Sequence, residues 1–175
     1  MSEQNLSITT NPLEIRSSEF GITLRQFTPD DAKVIFELID RNRGHLSQFG
    51  DETASKYPDE KSVFDSITNP KNPDKLRFGI WDHGEFVGSI NLIPDENGES
   101  KAEVGYYLGS EFVGKGYMWK AVKTLSKYAF SNLGYESLFG NVHPNNINSQ
   151  KVLEKAGFER AGIIGSGRYC LYKSK

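Results

Sequence analysis

Apolar and polar residues alternate with a period of two at Leu13-Glu14-Ile15-Arg16 and again over residues 22–27, which predicts two short strands turning near Gly21. Thr28-Pro29-Asp30-Asp31 reads as a helix start. Thr28 suits the cap, proline suits the first helical position, and both aspartates complement the positive helix end. Ile35, Leu38 and Ile39 then recur at helical spacing until Gly44 stops the helix. Residues 45–74 carry little pattern beyond a helix near 62–67, ended by Asn69-Pro70-Lys71-Asn72-Pro73. Leu76, Phe78 and Ile80 alternate, and Asp82-His83-Gly84-Glu85 signals a hairpin. The chain returns as a strand over 86–93, turns at 94–98, and runs out again over 102–108.

The period then changes. Met118, Ala121, Val122, Leu125, Ala129 and Leu133 mark one face of a long helix that Gly134 ends as a left-handed cap. Residues 137–142 read as a strand, and Asn145 or Asn146 caps a further helix carrying Val152, Leu153 and Ala156 and closed by Gly157. Residues 158–172 suit a final hairpin. A meander of antiparallel strands followed by βαβα and two more strands indicates a single mixed α/β domain over residues 13–175, preceded by a polar, frayed tail at 1–12.

Size and charge narrow the chemistry. The chain has 175 residues, one domain's worth, with 37% hydrophobic and 25% charged residues, an ordinary globular composition. Its net charge of −2 lacks the basic excess of nucleic-acid binders. The single Cys170 cannot form an internal disulfide, and His45, His83 and His143 are scattered without metal-ligand spacing. No apolar run approaches the ~18 residues of a membrane span, and the start of the chain is unlike a secretory signal. A cytoplasmic protein without metal, membrane or nucleic acid is expected.

The most informative segment is Gly109-Ser110-Glu111-Phe112-Val113-Gly114-Lys115-Gly116-Tyr117-Met118, between a strand and the long helix. Glycines there let backbone amides approach a ligand, and the helix N-terminus adds positive potential. Such a nest suits phosphate oxygens. Gly109 through Lys115 nearly spells a nucleotide-triphosphate loop, but Gly116 stands where a Mg²⁺-binding hydroxyl belongs. The dinucleotide fingerprint lacks its third glycine, and a plain tight turn would also use two glycines.

Residues 113–118 resemble the acyl-CoA pyrophosphate loop of the GNAT superfamily of N-acetyltransferases, Q/R-x-x-G-x-G/A. Leu24-Arg25 with Thr28-x-Asp30-Asp31-Ala32 resembles that family's opening strand and helix, and Ala102-Glu103-Val104-Gly105-Tyr106 its fourth strand. Tyr128-Ala129-Phe130, Asn146-x-x-Ser149 and Val152-Leu153-Glu154-Lys155-Ala156-Gly157-Phe158 are similar to the branch that acetylates N-termini of ribosomal proteins. Three positions depart: Val113 stands for Gln or Arg, Met118 for Gly or Ala, and Lys120 for a frequent acidic residue.

The resemblance implies a GNAT-like fold, a mostly antiparallel mixed sheet with helices on both faces, and acetyl-CoA as co-substrate. It implies a cofactor site made of Tyr106, Leu108, Val113, Gly114, Lys115, Gly116, Tyr117, Met118, Asn141, Asn146 and Ser149. Transfer to an amine needs a proton acceptor and a donor for the departing thiolate. Glu103 is the expected base. Ser149 is the expected thiolate donor, because Leu153 occupies the position where many family members place a tyrosine; Tyr106, Tyr107 and Tyr117 are substitutes. Asn146 serves equally as pantetheine holder or helix cap, and His143 as proton relay or strand-end histidine. Asp51-Glu52 and Asp59-Glu60 flank the segment where the family takes its acceptor. The expected acceptor is a protein or peptide α-amine. A polyamine or aminoglycoside, or a non-catalytic acyl-CoA sensor, are the alternatives.

Overall fold

The structure, a computed structural model, describes residues 11–175, so the expected tail falls outside the described residues except for 11 and 12. Eight strands form one sheet in the order β1-β2-β3-β4-β5-β6-β8-β7. They are β1 (Glu14–Ser17), β2 (Ile22–Gln26), β3 (Leu76–Asp82), β4 (Glu85–Pro94), β5 (Lys101–Leu108), β6 (Ser137–Val142), β7 (Glu159–Ile163) and β8 (Tyr169–Ser174). Every neighbouring pair is antiparallel except β5 and β6, which run parallel. That parallel ladder holds only Lys101–Ser137, Ala102–Leu138 and Glu103–Phe139, after which the two strands part. The β3–β4 hairpin turns through His83 (φ 47°) and Gly84 (φ 87°), the left-handed pair a two-residue turn of this hand requires.

Registry sorts the two faces. Leu24, Ile80, Phe78, Ile90, Leu92 and Val104 follow one another across the sheet on one face, all buried. Against it pack α5 (Tyr117–Asn132), through Ala121, Val122, Leu125 and Ala129, and α6 (Ile147–Lys155), through Leu153. Gly140 lets α6 close on β6, since a Cβ there would lie 2.7 Å from Leu153 Cδ1. Arg25, Arg77, Ser89, Asn91, Glu103 and Tyr107 lie on the other face. There α1 (Ala32–Arg41), α2 (Arg43–Leu46), α3 (Thr53–Lys56) and α4 (Glu60–Thr68) form the cover. Two arginines of the sheet tie it down: Arg25 pairs with Asp31 at 2.8 Å, and Arg77 donates to the Ser66 carbonyl at 2.9 Å. Helices therefore cover both faces, as expected. Among the described residues no helix is long and apolar enough to cross a membrane.

One boundary and one short helix differ from the sequence reading. The first helix ends at Arg41, not at Gly44, and Gly44 lies inside the short α2. Asn42 causes the break: its backbone N–H bonds Ile39 O, and its side-chain Nδ2 takes over the orphaned Leu38 carbonyl at 2.9 Å. Helix α3 has no sequence signature, being a single turn held by the Arg43 guanidinium, which donates to Ala54 O at 2.7 Å and Tyr57 O at 3.2 Å.

Candidate active site

The site lies where β5 and β6 separate. Beyond Glu103 the N–H and C=O groups of β5 that point away from β4 have no strand to meet, and two cavities adjoin the opening. A cleft of about 510 Å³ beside the glycine loop, α5 and α6 is lined by Tyr106, Tyr107, Leu108, Val113, Gly114, Gly116, Tyr117, Met118, Asn146 and Ser149, among others. A second cavity of about 400 Å³ holds Glu103, Asn141, His143, Tyr107, Lys75 and Arg77. Gln48, Phe49, Asp51, Tyr106, Tyr107, Asn146 and Ser149 border both.

The glycine loop is built as its sequence asks. Gly114 (φ 82°) and Gly116 (φ 84°) both take the left-handed conformation, and Gly116 is the N-cap of the 16-residue α5. The first-turn amides of α5 thus open toward the first cleft with the positive end of the helix dipole behind them. Lys151 and Lys155 border the same cleft from α6. The loop is anchored from behind. Asn42, 3% exposed, accepts from the Ser110 amide at 2.9 Å and its hydroxyl at 2.7 Å, and donates to Glu111 at 3.1 Å.

Several expected residues have other partners. The Lys115 ammonium sits over the Phe112 ring at 5.5 Å, away from the cleft lining. Met118 is buried in the core and fills the start of α5 as an apolar side chain, while also bordering the cleft. The Tyr117 hydroxyl donates to Asp82; this bond raises the phenol and holds the Asp82 carboxyl below its usual range. Asn141 lies on the second cavity and not the first.

At the junction itself two hydrogen-bonded pairs stand on opposite faces of the sheet. The Tyr106 hydroxyl and Ser149 Oγ are 2.8 Å apart. Burial drives the Tyr106 phenol far above its ordinary value, so it stays protonated and able to donate. Asn146 Oδ1 accepts the Ser149 amide at 3.1 Å, capping α6 and fixing where the serine hydroxyl stands. On the other face Asn141 Nδ2 donates to Glu103 Oε1 at 3.0 Å, leaving the second carboxylate oxygen for another partner. His143 Nδ1 accepts the Asn145 amide at 3.1 Å, which leaves Nε2 as its free nitrogen. Cys170, opposite Asn141 in the ladder, is pushed up by burial and by the Glu103 charge, the reverse of an activated thiol.

Sequence reasoning missed one wall. His45, Leu46, Gln48 and Phe49 line the first cleft, and Phe49, in the left-handed conformation at φ 58°, stacks 5.5 Å from the His143 ring. A left-handed phenylalanine has no sequence signal. Lys75 and Arg77 were equally invisible, because only the fold carries them to Glu103.

Residues 22–159 match the acetyltransferase (GNAT) domain family. The chain is 30% identical over 149 residues to Probable N-acetyltransferase YjcK of Bacillus subtilis (strain 168), covering 81% of this chain and 82% of that one. The fold superposes on RimL, the ribosomal L7/L12 alpha-N-protein acetyltransferase in complex with coenzyme A, with a TM-score of 0.81 at 16% identity, covering 93% of this chain and 98% of that one. It also superposes on the aminoglycoside acetyltransferase AAC(6')-Ib in complex with coenzyme A and kanamycin, with a TM-score of 0.72 at 20% identity, over 88% and 95%. The family match spans the glycine loop, both hydrogen-bonded pairs and the split in the sheet, and the chain belongs to the GNAT family of acetyl-CoA-dependent N-acetyltransferases.

Proposed function

We propose that the protein transfers the acetyl group of acetyl-CoA directly to a primary amine, the N-terminal α-amine of a protein or peptide. The observation that carries this reading is the pairing of Tyr106–Ser149 on one face of the split sheet with Glu103–Asn141 on the other. The cleft fits the donor: left-handed glycines and first-turn amides suit a pyrophosphate, and the parted strands give a way through to Glu103. When bound, acetyl-CoA supplies an activated carbonyl and a thiolate leaving group.

The chain's own residues do three things. The Gly114–Gly116 loop and the α5 N-terminus hold the phosphates. Glu103, oriented by Asn141, accepts the proton that the amine gives up as its nitrogen bonds the acetyl carbon. Ser149, backed by Tyr106, donates to the sulfur as its bond to that carbon breaks. A serine hydroxyl is too weak an acid to be a full proton source, so its contribution is stabilisation of developing charge. An α-amine, with a pKa about 7.7–8.0, has a far larger neutral fraction at physiological pH than a lysine near 10.4 and suits such a lightly equipped site better.

The test is an acceptor panel followed by free-thiol release, spanning N-terminal peptides, polyamines and aminoglycosides. Turnover with peptides supports the reading, and turnover confined to polyamines or aminoglycosides replaces the acceptor class. Stabilisation by acetyl-CoA with no turnover on any amine makes the protein a sensor and overturns it.

A further inference from the structure

The charges around Glu103 are unequal in a way that describes the acceptor. Seven ionisable groups other than histidine and tyrosine line the second cavity: Asp51, Glu52, Glu103, Lys56, Lys75, Arg77 and Arg168. Lys56 and Glu52 neutralise each other at 3.0 Å. The Asp51 carboxylate accepts the Thr53 amide, and the Arg168 guanidinium donates to Phe49 O at the exposed rim. Glu103 is occupied on one oxygen only.

Lys75 and Arg77 remain. Lys75 immediately precedes β3, Arg77 is the second residue of that strand, and both border the cavity. Among the described residues neither has a carboxylate partner within ion-pair distance. Arg77 spends its donors on neutral oxygens, those of Ser66 and the Tyr57 hydroxyl, and its guanidinium lies over Phe27 at 5.5 Å. That arginine is fixed, and it makes no ion pair. Lys75 is half-buried; desolvation first, then repulsion from Arg77 and Lys56, push its ammonium below the ordinary lysine value, and the Glu103 and Asp51 carboxylates offset only part of this. With Lys56 and Glu52 paired, the cavity keeps three cations, Lys75, Arg77 and Arg168, against two carboxylates, Asp51 and Glu103, and this positive balance, partly withdrawn from water, favours an anion that comes from outside.

We infer that the acceptor carries a carboxylate close to its reacting amine, with the amine directed to Glu103 and the carboxylate held by Lys75 and Arg77. The inference rests on the α-amine reading above and narrows it: the preferred substrate is a chain whose N-terminus is followed at once by an acidic residue. Polyamines and aminoglycosides, polycations that need several carboxylates, meet a cavity in which cations outnumber carboxylates instead. The same chemistry is present in a free acidic amino acid, which carries its carboxylates on one small molecule.

The experiment uses the full chain, acetyl-CoA and three peptides identical except for residues two and three, which are acidic, neutral or basic. Free glutamate and aspartate are run alongside. A charge-assisted hydrogen bond gives an expectation on the order of tenfold higher kcat/KM for the acidic peptide than for the neutral one, with the basic peptide below both. Lys75→Met should bring the acidic-to-neutral ratio close to one, and Lys75→Glu should invert the order in favour of the basic peptide. Thermal melts confirm that each variant is folded. A preference for free acidic amino acids over peptides that disappears with Lys75→Met keeps the amine–carboxylate recognition and identifies a small substrate. Equal kcat/KM across the three peptides, or an acidic preference that survives Lys75→Glu, overturns the inference while leaving peptide acetylation intact. Failure to acetylate any amine despite stabilisation by acetyl-CoA removes the α-amine reading and this inference with it.

Discussion

Asn42 is the best point at which to test how the donor loop is held. It is 3% exposed and makes four side-chain hydrogen bonds: to the Ser110 amide and hydroxyl, to the Leu38 carbonyl, and to Glu111. Asn42→Ala removes all four and leaves the Leu38 carbonyl, buried at the end of α1, without a partner. An unsatisfied buried polar group costs about 1–3 kcal/mol, and the part-buried Ser110 donors add a smaller loss because water replaces some of it. A total of about 2–4 kcal/mol corresponds, for a chain of this size at about 2–4 °C per kcal/mol, to a Tm lower by roughly 5–15 °C. The loop should loosen as well, so the KM for acetyl-CoA should rise while kcat at saturating donor changes less. Thermal melts with and without acetyl-CoA, and a donor titration, give both numbers. Arg41→Ala is the control, because its ion pair with Glu111 is half-exposed and contributes at most about 1 kcal/mol. An Asn42→Ala protein melting within about 2 °C of the parent, with an unchanged KM for acetyl-CoA, would refute the reasoning.

Three further outcomes are expected. Gly116→Asp, at φ 84°, should lose the acetyl-CoA-dependent rise in Tm, and Gly116→Ala should lose part of it, since a Cβ there meets Trp119 Nε1 at 3.0 Å; equal stabilisation of all three proteins would place the phosphates elsewhere. Ser149→Ala should lower kcat on the order of 10–10³-fold with little change in donor binding, and Tyr106→Phe should overlap with it in the double variant; fully additive losses would mean that the pair does not act as a unit. Glu103→Gln should flatten the ascending acid limb of the kcat/KM–pH profile, with residual activity rising as the free amine deprotonates, and an α-amine should lose less than a lysine-like amine; an unaltered profile in a folded protein would transfer the base to His143 or solvent.

The elements that were legible share a cause: their signals are local. Strand β6 was read at its observed bounds, Ser137–Val142, and α6 was placed by a cap at Asn145 or Asn146, of which the Asn146 side chain is the one that caps it. Gly134, expected to end the long helix in left-handed form, has φ 77°. The region from Arg43 to Lys56 was opaque because α2 and α3 are single turns, too short to nucleate by themselves, and owe their shape to Arg43 and to tertiary contact. Within the site, the 2.8 Å contact of Tyr106 with Ser149 bridges 43 positions of sequence, and the Glu103–Asn141 bond bridges 38. Spacing could nominate the residues, and alternation along β5 their faces; only the folded sheet shows that β5 and β6 part between the two pairs. Lys75 and Arg77 were hidden for the same reason. Their signal is the lack of an ion-pair partner, and that is a property of the packed cavity.

The short β5–β6 ladder has a consequence for how the chain protects itself. Most sheets have two edges, and this one has four, because the split creates two more in its interior. Exposed edges invite a foreign strand, and the outer ones are guarded in familiar ways: β1 is four residues long and carries the Glu14–Arg16 ion pair, and β7 is broken by a register shift between Arg160 and Gly162. The inner edges carry no such charges or bulges. Their protection is how little of them is free. The seam is bolted shut at one end, where the Ser100 carbonyl accepts both the Glu136 and Ser137 amides, and its pairing stops at Glu103 and Phe139. Only Val104–Leu108 of β5 and Gly140–Val142 of β6 lie beyond that point. A visiting β-strand must run nearly 5 Å from each neighbour it bonds, so the closed end denies it either strand's full length and leaves it stretches no longer than a short strand.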